Sequence, residues 1–348
     1  MRHPWACATC CLALAVLTWQ LNAEAQDRPI RRITVTVARE VAPFAGIIMH
    51  PLPPNTASQR IVSCEMFVKT SKGTTKAEVR HETGPFKKPI LTVAADPDEK
   101  MRLVLELEID LYQAPGPVTA GKAAATLTEE ERTRYTEAGV YYEHDAEAFR
   151  AWMKANGLLK GKKENDLQFA SRLLAFMRAR FSYKIPDENY KRAKIKERGT
   201  GELGFYTSEW TGECWALSRI YTCVLRANGI PSRQVSGWML EGGHHVRAEV
   251  FLDKIGWIHV ELAGSITNKR ANLADYFGRG GSYMIVMNEG INFALPGPNG
   301  VGNVGTFDSF ALCKKAGAWE LPPTKLIISN RSRSKAKKSD TSVAAPKK

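Results

Sequence analysis

The stretch Thr211-Gly212-Glu213-Cys214-Trp215-Ala216-Leu217 introduces a clear helical pattern. Apolar residues then recur at helical spacing on one face: Leu217, Ile220, Tyr221, Val224 and Leu225. Asn228-Gly229, with Pro231 just beyond, is a typical helix end. The sequence therefore predicts a helix whose first turn carries Cys214.

The position of Cys214 favours a reactive thiolate. In the first turn of a helix the backbone N–H groups are unpaired and the macrodipole is positive, so an anion is stabilised there. The same N–H groups could hold the oxyanion of a tetrahedral intermediate. A cysteine is also often a small buried hydrophobe, so position alone leaves both interpretations open. Cys223 lies about half a rotation away on the same helix and is predicted to be structural.

Three strand-like segments follow the helix, at Gln234–Met239, Val246–Leu252 and Trp257–Leu262. Asp253-Lys254-Ile255-Gly256 joins the last two as a turn in which glycine can adopt positive φ. A three-residue loop at 254–256 would place Glu261 opposite Glu249 and on the same face as His245. A loop of two or four residues would separate His245 from Glu261.

A thiol at a helix N-terminus, an imidazole at the start of a strand and a carboxylate on its hairpin partner can form a Cys-His-acid triad. The predicted catalytic residues are Cys214 as nucleophile, His245 as base and Glu261 as the group that orients the base. His244 is the alternative base, because a shift of one residue in the strand would exchange the two faces. Trp210 or Tyr206 could help to form the oxyanion site, although an ordinary structural role is the favoured interpretation for each.

Four segments together resemble the core of the transglutaminase-like superfamily: GECWAL at 212–217, LRANGIPSR at 225–233, HVRAEV at 245–250 and GWIHVE at 256–261. The resemblance implies an α+β, papain-like core in which a helix bearing the nucleophile packs on an antiparallel sheet. It assigns Cys214 and His245 to the roles given above. Glu261 stands where the family usually has Asp, and Arg247 where it often has Trp, which suggests an altered binding cleft.

The resemblance implies a cysteine enzyme that performs acyl transfer at protein or peptide amides through a Cys214 thioester. An amine acceptor would make it a cross-linking enzyme, and water would make it a protease or amidase. A noncatalytic binding module on the same fold is the alternative from another class. No Cys/His spacing fits zinc and no acidic loop fits calcium, so no metal or cofactor is expected.

The region before the core has strand periodicity. Ile33, Val35 and Val37 alternate with polar residues, and a second alternating run covers residues 103–111. The sequence predicts a small β-domain at 26–115 that precedes a catalytic core at 126–310. Helices are expected at 145–156 and 170–181, and the charged segment 187–208 is expected to be an irregular surface loop.

The termini indicate export. Arg2, a short apolar run and Ala23-Glu24-Ala25 fit a removable signal peptide at 1–25, and the run is shorter than the ~20 residues of a membrane span. We therefore expect a periplasmic or secreted protein without a stable membrane span. The segment 326–348 is rich in Lys and Arg and is predicted to be a disordered tail.

The net charge indicates the class of binding partner, and the number of cysteines limits the possible disulfides. The net charge of +13 on 348 residues suggests contact with anionic cell-envelope polymers rather than with specific nucleic acid, although the basic tail could equally be without function. Removal of the signal peptide would leave four cysteines. If Cys214 is catalytic, one disulfide is possible among Cys64, Cys223 and Cys313.

Overall fold

The structure of the protein is a computed structural model. It describes residues 29, 31–56, 58–81, 89–112, 126–139, 141–241, 243–278, 283–290, 293–297, 300–304, 311–314, 319–320 and 325–330, with backbone alone from 293 onward. The predicted signal peptide at 1–25 and residues 331–348 of the predicted tail lie outside these ranges.

Two antiparallel five-stranded sheets form the β-domain. The first has the strand order β18-β1-β7-β3-β4 and the second the order β17-β16-β2-β6-β5. The bounds are β1 Arg31–Val41, β2 Gly46–Pro51, β3 Gln59–Thr70, β4 Gly73–Lys76, β5 Glu78–His81, β6 Pro89–Ala95, β7 Met101–Leu111, β16 Ala311–Lys314, β17 Trp319–Glu320 and β18 Lys325–Asn330. Alternate apolar residues of both sheets, including Ile33, Ile48 and Leu105, share one buried core.

The C-terminal part of the chain contributes to this β-domain. Strand β18 pairs with β1 from Ile33↔Asn330 to Ala38↔Lys325, and β16 pairs with β2. The predicted start of the tail at 326 is therefore wrong, because residues 326–330 belong to a sheet. The pairing joins segments that lie almost 300 residues apart, and such long-range pairs leave no local signal in the sequence.

The region predicted to be the catalytic core combines helices with a four-stranded antiparallel sheet of order β12-β11-β10-β13. Its helices are α1 Glu129–Thr136, α2 Glu147–Ala155, α3 Asp166–Arg180, α4 Glu188–Arg198, α5 Glu202–Glu209, α6 Cys214–Ala227 and α7 Leu262–Thr267. Its strands are β8 Ser182–Tyr183, β9 Thr211–Gly212, β10 Ser232–Met239, β11 His244–Leu252, β12 Gly256–Val260 and β13 Met284–Glu289, followed by the hairpin β14 Phe293–Gly297 and β15 Gly300–Val304. The α+β, papain-like prediction is confirmed.

Helix α6 is the centre of this core. Leu217, Ile220 and Val224 are fully buried in one apolar cluster with Ala248 and Val250 of β11. The sheet therefore supports the helix along its length and fixes where the helix begins.

The segment 187–208 is helical rather than irregular. Asp187 caps α4 by accepting a hydrogen bond from the backbone of Tyr190, and Gly199 ends that helix in the left-handed region. Ion pairs one turn apart, such as Arg192 with Glu188, supplement the caps. The helix has no buried residue, so it shows no apolar periodicity that could have revealed it.

The β-domain packs directly on the four-stranded sheet. The buried side-chain amide of Gln59 on β3 donates to the carbonyl of Val286 at 2.7 Å and accepts from its N–H at 2.8 Å. Ile285 and Met287 of β13 join the core of the β-domain. Strand β13 thus belongs to both packing units. No helix in the described part of the chain is long and apolar enough to cross a membrane.

Candidate active site

Cys214 is the first residue of α6 and is 9% exposed. Glu213 precedes it in extended conformation and makes no side-chain cap, so the first-turn N–H groups keep their capacity to bind an anion. Gly212 fits tightly beneath the turn, since a Cβ there would lie 2.9 Å from the Cβ of Ala216. The chain therefore brings Cys214 to the helix N-terminus through a position that only glycine fills without displacement.

Strand β9, which leads to Cys214, is held by its short parallel pairing with β8. Ser182 and Lys184 donate their N–H groups to the carbonyls of Trp210 and Gly212 at 2.9 and 3.1 Å. Trp210 ends α5 with φ of 53°, a left-handed conformation that is uncommon for a bulky residue. Its ring packs with Trp152 and Phe181. These contacts favour a structural role for Trp210, and Tyr206 is almost completely buried.

His245 and Glu261 meet in the structure. His245 Nε2 lies 2.8 Å from Glu261 Oε2. His244, on the opposite side of the strand, is exposed and pairs with Trp238 on β10. The structure thus brings His245, and not His244, to the carboxylate.

The hairpin register differs from the predicted one. Glu249 pairs with His259 rather than Glu261, and Leu252 pairs with Gly256. The three-residue loop is at 253–255, one position earlier than predicted, with Lys254 at φ of 68°. A loop of the same odd length keeps the same face, and Glu261 just beyond β12 still reaches His245.

Glu261 is the N-cap of α7 rather than a strand residue. Its Oε1 accepts from the N–H of Gly264 at 3.2 Å, and its Oε2 accepts a second hydrogen bond from the hydroxyl of Tyr283 at 2.6 Å. Tyr283 was not predicted from the sequence, because it lies in a loop with no periodic pattern. The carboxylate is consequently held by three donors.

Electrostatics favour a charged pair. Burial would lower the pKa of His245, but the interactions with the Cys214 thiol and the Glu261 carboxylate outweigh it and raise the pKa to about 9. Burial would also raise the pKa of Glu261, whereas hydrogen bonds from His245 and Tyr283 lower it. At neutral pH the site therefore favours imidazolium beside an ionised carboxylate.

Tyr183 is a second residue that the sequence analysis missed. It lies on β8 opposite Gly212 and interacts with both the backbone and the side chain of Cys214. Burial and the proximity of Cys214 raise the pKa of its phenol. Only the long-range pairing of β8 with β9 reveals this contact.

Arg247 lies within strand β11 and is not exposed in a cleft, and the altered binding cleft stays a prediction. The side chain is completely buried on the sheet, and its Nη2 lies 3.3 Å from Nε2 of His259. His259 in turn contacts Glu249 at 2.5 Å, and Glu249 is paired with Arg233 at 2.8 Å. Arg247 thus belongs to a buried polar network behind the candidate triad.

A cavity of about 390 Å³ lies beside the base. It is lined by Met239, His245, Glu261, Gly264, Asp275, Tyr276 and Tyr283. Across the described residues, no group of three His, Cys, Asp or Glu side chains is arranged to hold a metal ion.

Cys64, Cys214 and Cys223 are free thiols. A disulfide between Cys64 and Cys223 is therefore excluded, and the side chain of Cys313 lies outside the described part. Cys223 is fully buried, which raises its pKa to about 12 and agrees with a structural role.

The residues predicted to be nucleophile, base and orienting carboxylate all lie in a segment whose sequence matches a family model. Residues 132–262 match the Transglutaminase-like superfamily. This segment belongs to that superfamily. The transglutaminase-like segment contains all three predicted catalytic residues.

A comparison with solved structures gives several matches, each with low sequence identity. A cysteine-protease candidate from Cytophaga hutchinsonii aligns over 86% of this chain and 90% of its own, with 13% identity and a TM-score of 0.51. The periplasmic domain of TgpA from Pseudomonas aeruginosa aligns over 71% and 92%, with 14% identity and a TM-score of 0.35. Red sea bream transglutaminase aligns over 87% and 62%, with 9% identity and a TM-score of 0.31. No curated protein matches the sequence.

Proposed function

We propose that this protein is a cysteine enzyme that transfers acyl groups from protein or peptide amides through a Cys214 thioester. The observation that supports the proposal most strongly is that Cys214, at the N-terminus of α6, interacts with His245, which lies 2.8 Å from Glu261. Nucleophile, base and orienting carboxylate are the groups that this chemistry requires.

The proposed reaction has two steps. The Cys214 thiolate attacks the amide carbon, and the first-turn N–H groups of α6 stabilise the oxyanion. The tetrahedral intermediate collapses as imidazolium donates its proton to the leaving amine, leaving a thioester and a neutral imidazole. His245 then removes a proton from the acceptor, which attacks the thioester and releases the thiolate.

The acceptor decides the product. A primary amine gives a new amide and hence cross-linking, which we propose as the main activity. Water gives hydrolysis, and the same residues would then act as a protease or amidase. The two outcomes share the acyl-enzyme, so they differ in the access of amine and water to it.

We also propose that the enzyme is exported and acts near anionic envelope polymers. The N-terminal charge and apolar pattern and the net charge of +13 support this part of the proposal. Fractionation of cells that express the full chain tests it, since retention of the unprocessed protein in the cytoplasm would contradict export.

Thiol labelling tests the proposed nucleophile. The purified full chain is treated with iodoacetamide across pH, and modification is located by peptide mass mapping. We expect Cys214 to react near neutral pH and His245→Ala to slow it by about a hundredfold, since the imidazolium that stabilises the thiolate is lost. Buried Cys223 is the internal control, and Cys214→Ala removes the signal.

Turnover is measured with a fluorescent primary amine and a glutamine-rich unfolded protein. Incorporation of the amine that requires Cys214 supports cross-linking, whereas release of ammonia or peptides without incorporation supports hydrolysis. If Cys214 is labelled no faster than an exposed thiol and neither product forms, the proposal is wrong and the protein is a noncatalytic binding module on the same fold.

A further inference from the structure

The Glu261 carboxylate is fixed by more contacts than its pair with His245 requires. A glutamate has one more side-chain torsion than an aspartate, so its carboxylate can swing farther unless other groups hold it. Here Oε2 is shared by His245 at 2.8 Å and the hydroxyl of Tyr283 at 2.6 Å, while Oε1 accepts from Gly264 at 3.2 Å. The tyrosine therefore bonds to the same oxygen that faces the base.

Tyr283 is itself held firmly. Its ring packs against the buried cluster of Val235, Met284 and Val286, and its carbonyl accepts from the N–H of Leu240 at 2.9 Å. Burial and the Glu261 carboxylate raise the pKa of the phenol, so the hydroxyl stays protonated and donates. The contact is thus a directed hydrogen bond from a side chain whose ring cannot move freely.

We propose that Tyr283 is a positioning residue that holds the Glu261 carboxylate against His245 and so lets a glutamate replace the shorter aspartate. This inference rests on the proposed function, because it concerns the orientation of the same base. Without the hydroxyl, the carboxylate rotates between its contacts with His245 and Gly264. The imidazole then spends less time in the orientation and tautomer that face Cys214.

Several charged or titratable groups surround the pair. Cys214 faces it from α6, Tyr283 from the turn before β13 and Asp275 from the lining of the cavity. Buried Arg247 of β11 interacts with Tyr283 from the other side and opposes the rise in the pKa of the phenol. Removal of one hydroxyl leaves all of these charges in place, so a change in pH dependence reports the orientation of the carboxylate.

The test compares Tyr283→Phe with Tyr276→Phe in the full chain. Tyr276 lines the same cavity, and its hydroxyl makes no hydrogen bond to Glu261, so its variant is a matched control. Iodoacetamide labelling of Cys214 is followed from pH 5 to pH 10, a range chosen to span both limbs of a thiolate–imidazolium profile. Thermal unfolding of each variant is recorded alongside.

We expect Tyr283→Phe to slow labelling near neutral pH by about tenfold or more. The alkaline inflection, which in the wild type should lie at about 9, moves to lower pH because the imidazolium is less well stabilised. Tyr276→Phe behaves as the wild type. A loss of fold stability alone would lower the unfolding temperature and leave the inflection where it was.

A double-mutant cycle with Glu261→Asp adds a second readout. The shorter side chain cannot bridge to both Tyr283 and His245 in the same way, so Tyr283→Phe should have less effect on labelling when it is combined with Glu261→Asp. Additive effects of the two substitutions would overturn the inference. An unchanged labelling rate combined with an alkaline inflection at higher pH would also overturn it, because the hydroxyl would then only withdraw charge from Oε2 of Glu261.

Failure of this inference is distinguishable from failure of the proposed function. If His245→Ala slows labelling and Tyr283→Phe does not, the positioning role is wrong and the triad stands. If His245→Ala itself has no effect, both proposals fall.

Discussion

At the scale of single residues, Glu261 stands out because the family resemblance leads one to expect an aspartate at this position. Glu261 reaches the base from a helix N-cap, and a backbone N–H and a tyrosine fix its two oxygens. The same contacts lower the pKa of the carboxylate, which in turn helps to raise that of His245. Under the proposed function, these donors would offset the greater freedom of the longer side chain.

The raised pKa of His245 makes the folding stability depend on pH. In the folded protein the pKa is about 9, against an ordinary value of 6.5, so the native state holds the proton more tightly than the unfolded chain. The associated stability is fully present below about pH 6.5 and is lost as pH rises to about 9. The difference corresponds to about 3 kcal/mol at most.

Urea unfolding near pH 6 and near pH 10 measures this contribution. The wild type should lose more stability over the interval than His245→Ala, which lacks the group. His244→Ala, a change of the adjacent exposed histidine, should follow the wild type. Equal losses in wild type and His245→Ala would show that the imidazolium is not stabilised in the fold.

At the level of elements, the predictable features were those with local periodicity. Helix α6 and strands β10 to β12 were predicted because their apolar residues recur within a few positions. The predicted three-residue loop was wrong by one position, since both Lys254 and Gly256 have positive φ and the sequence does not reveal the positive φ of a lysine. Helix α4 was missed because it buries no apolar face.

The close packing before α6 predicts a sensitive position at Gly212. Gly212→Ala would bring its Cβ within 2.9 Å of the Cβ of Ala216 and displace the turn that carries Cys214. We expect a loss of about 1–3 kcal/mol in stability and a slower labelling of Cys214. Gly161→Ala is the control, since its nearest atom would lie at 3.7 Å.

Thermal unfolding and iodoacetamide rates measured together decide this prediction. A fully stable Gly212→Ala protein with normal labelling would mean that the turn accommodates the methyl group without moving the nucleophile.

On the scale of the whole molecule, the β-domain contacts a strand that lies next to the site. Gln59 of the β-domain bonds to both backbone groups of Val286, in the middle of β13, and Tyr283 lies just before that strand. The alternating residue pattern predicted the β-domain itself. Its C-terminal strands and its junction with the four-stranded sheet were not predicted, because they depend on contacts between segments far apart in the chain. Such pairings are determined by the packing of distant segments rather than by local sequence.

The C-terminal strand provides the test at this scale. Truncation after Thr324 would remove β18, which pairs with six residues of β1, and would expose the edge of that strand. Truncation after Asn330 would keep β18 and remove only the residues still predicted to form a tail.

We expect the shorter protein to lose several kcal/mol of stability, since paired sheet is replaced by an open edge, and the longer one to unfold as the full chain does. Urea unfolding followed by both far-ultraviolet circular dichroism and tryptophan fluorescence makes the comparison. If both truncations are equally stable, β18 contributes nothing to the fold, whereas destabilisation by the truncation after Asn330 would mean that the segment 331–348 is more than a tail.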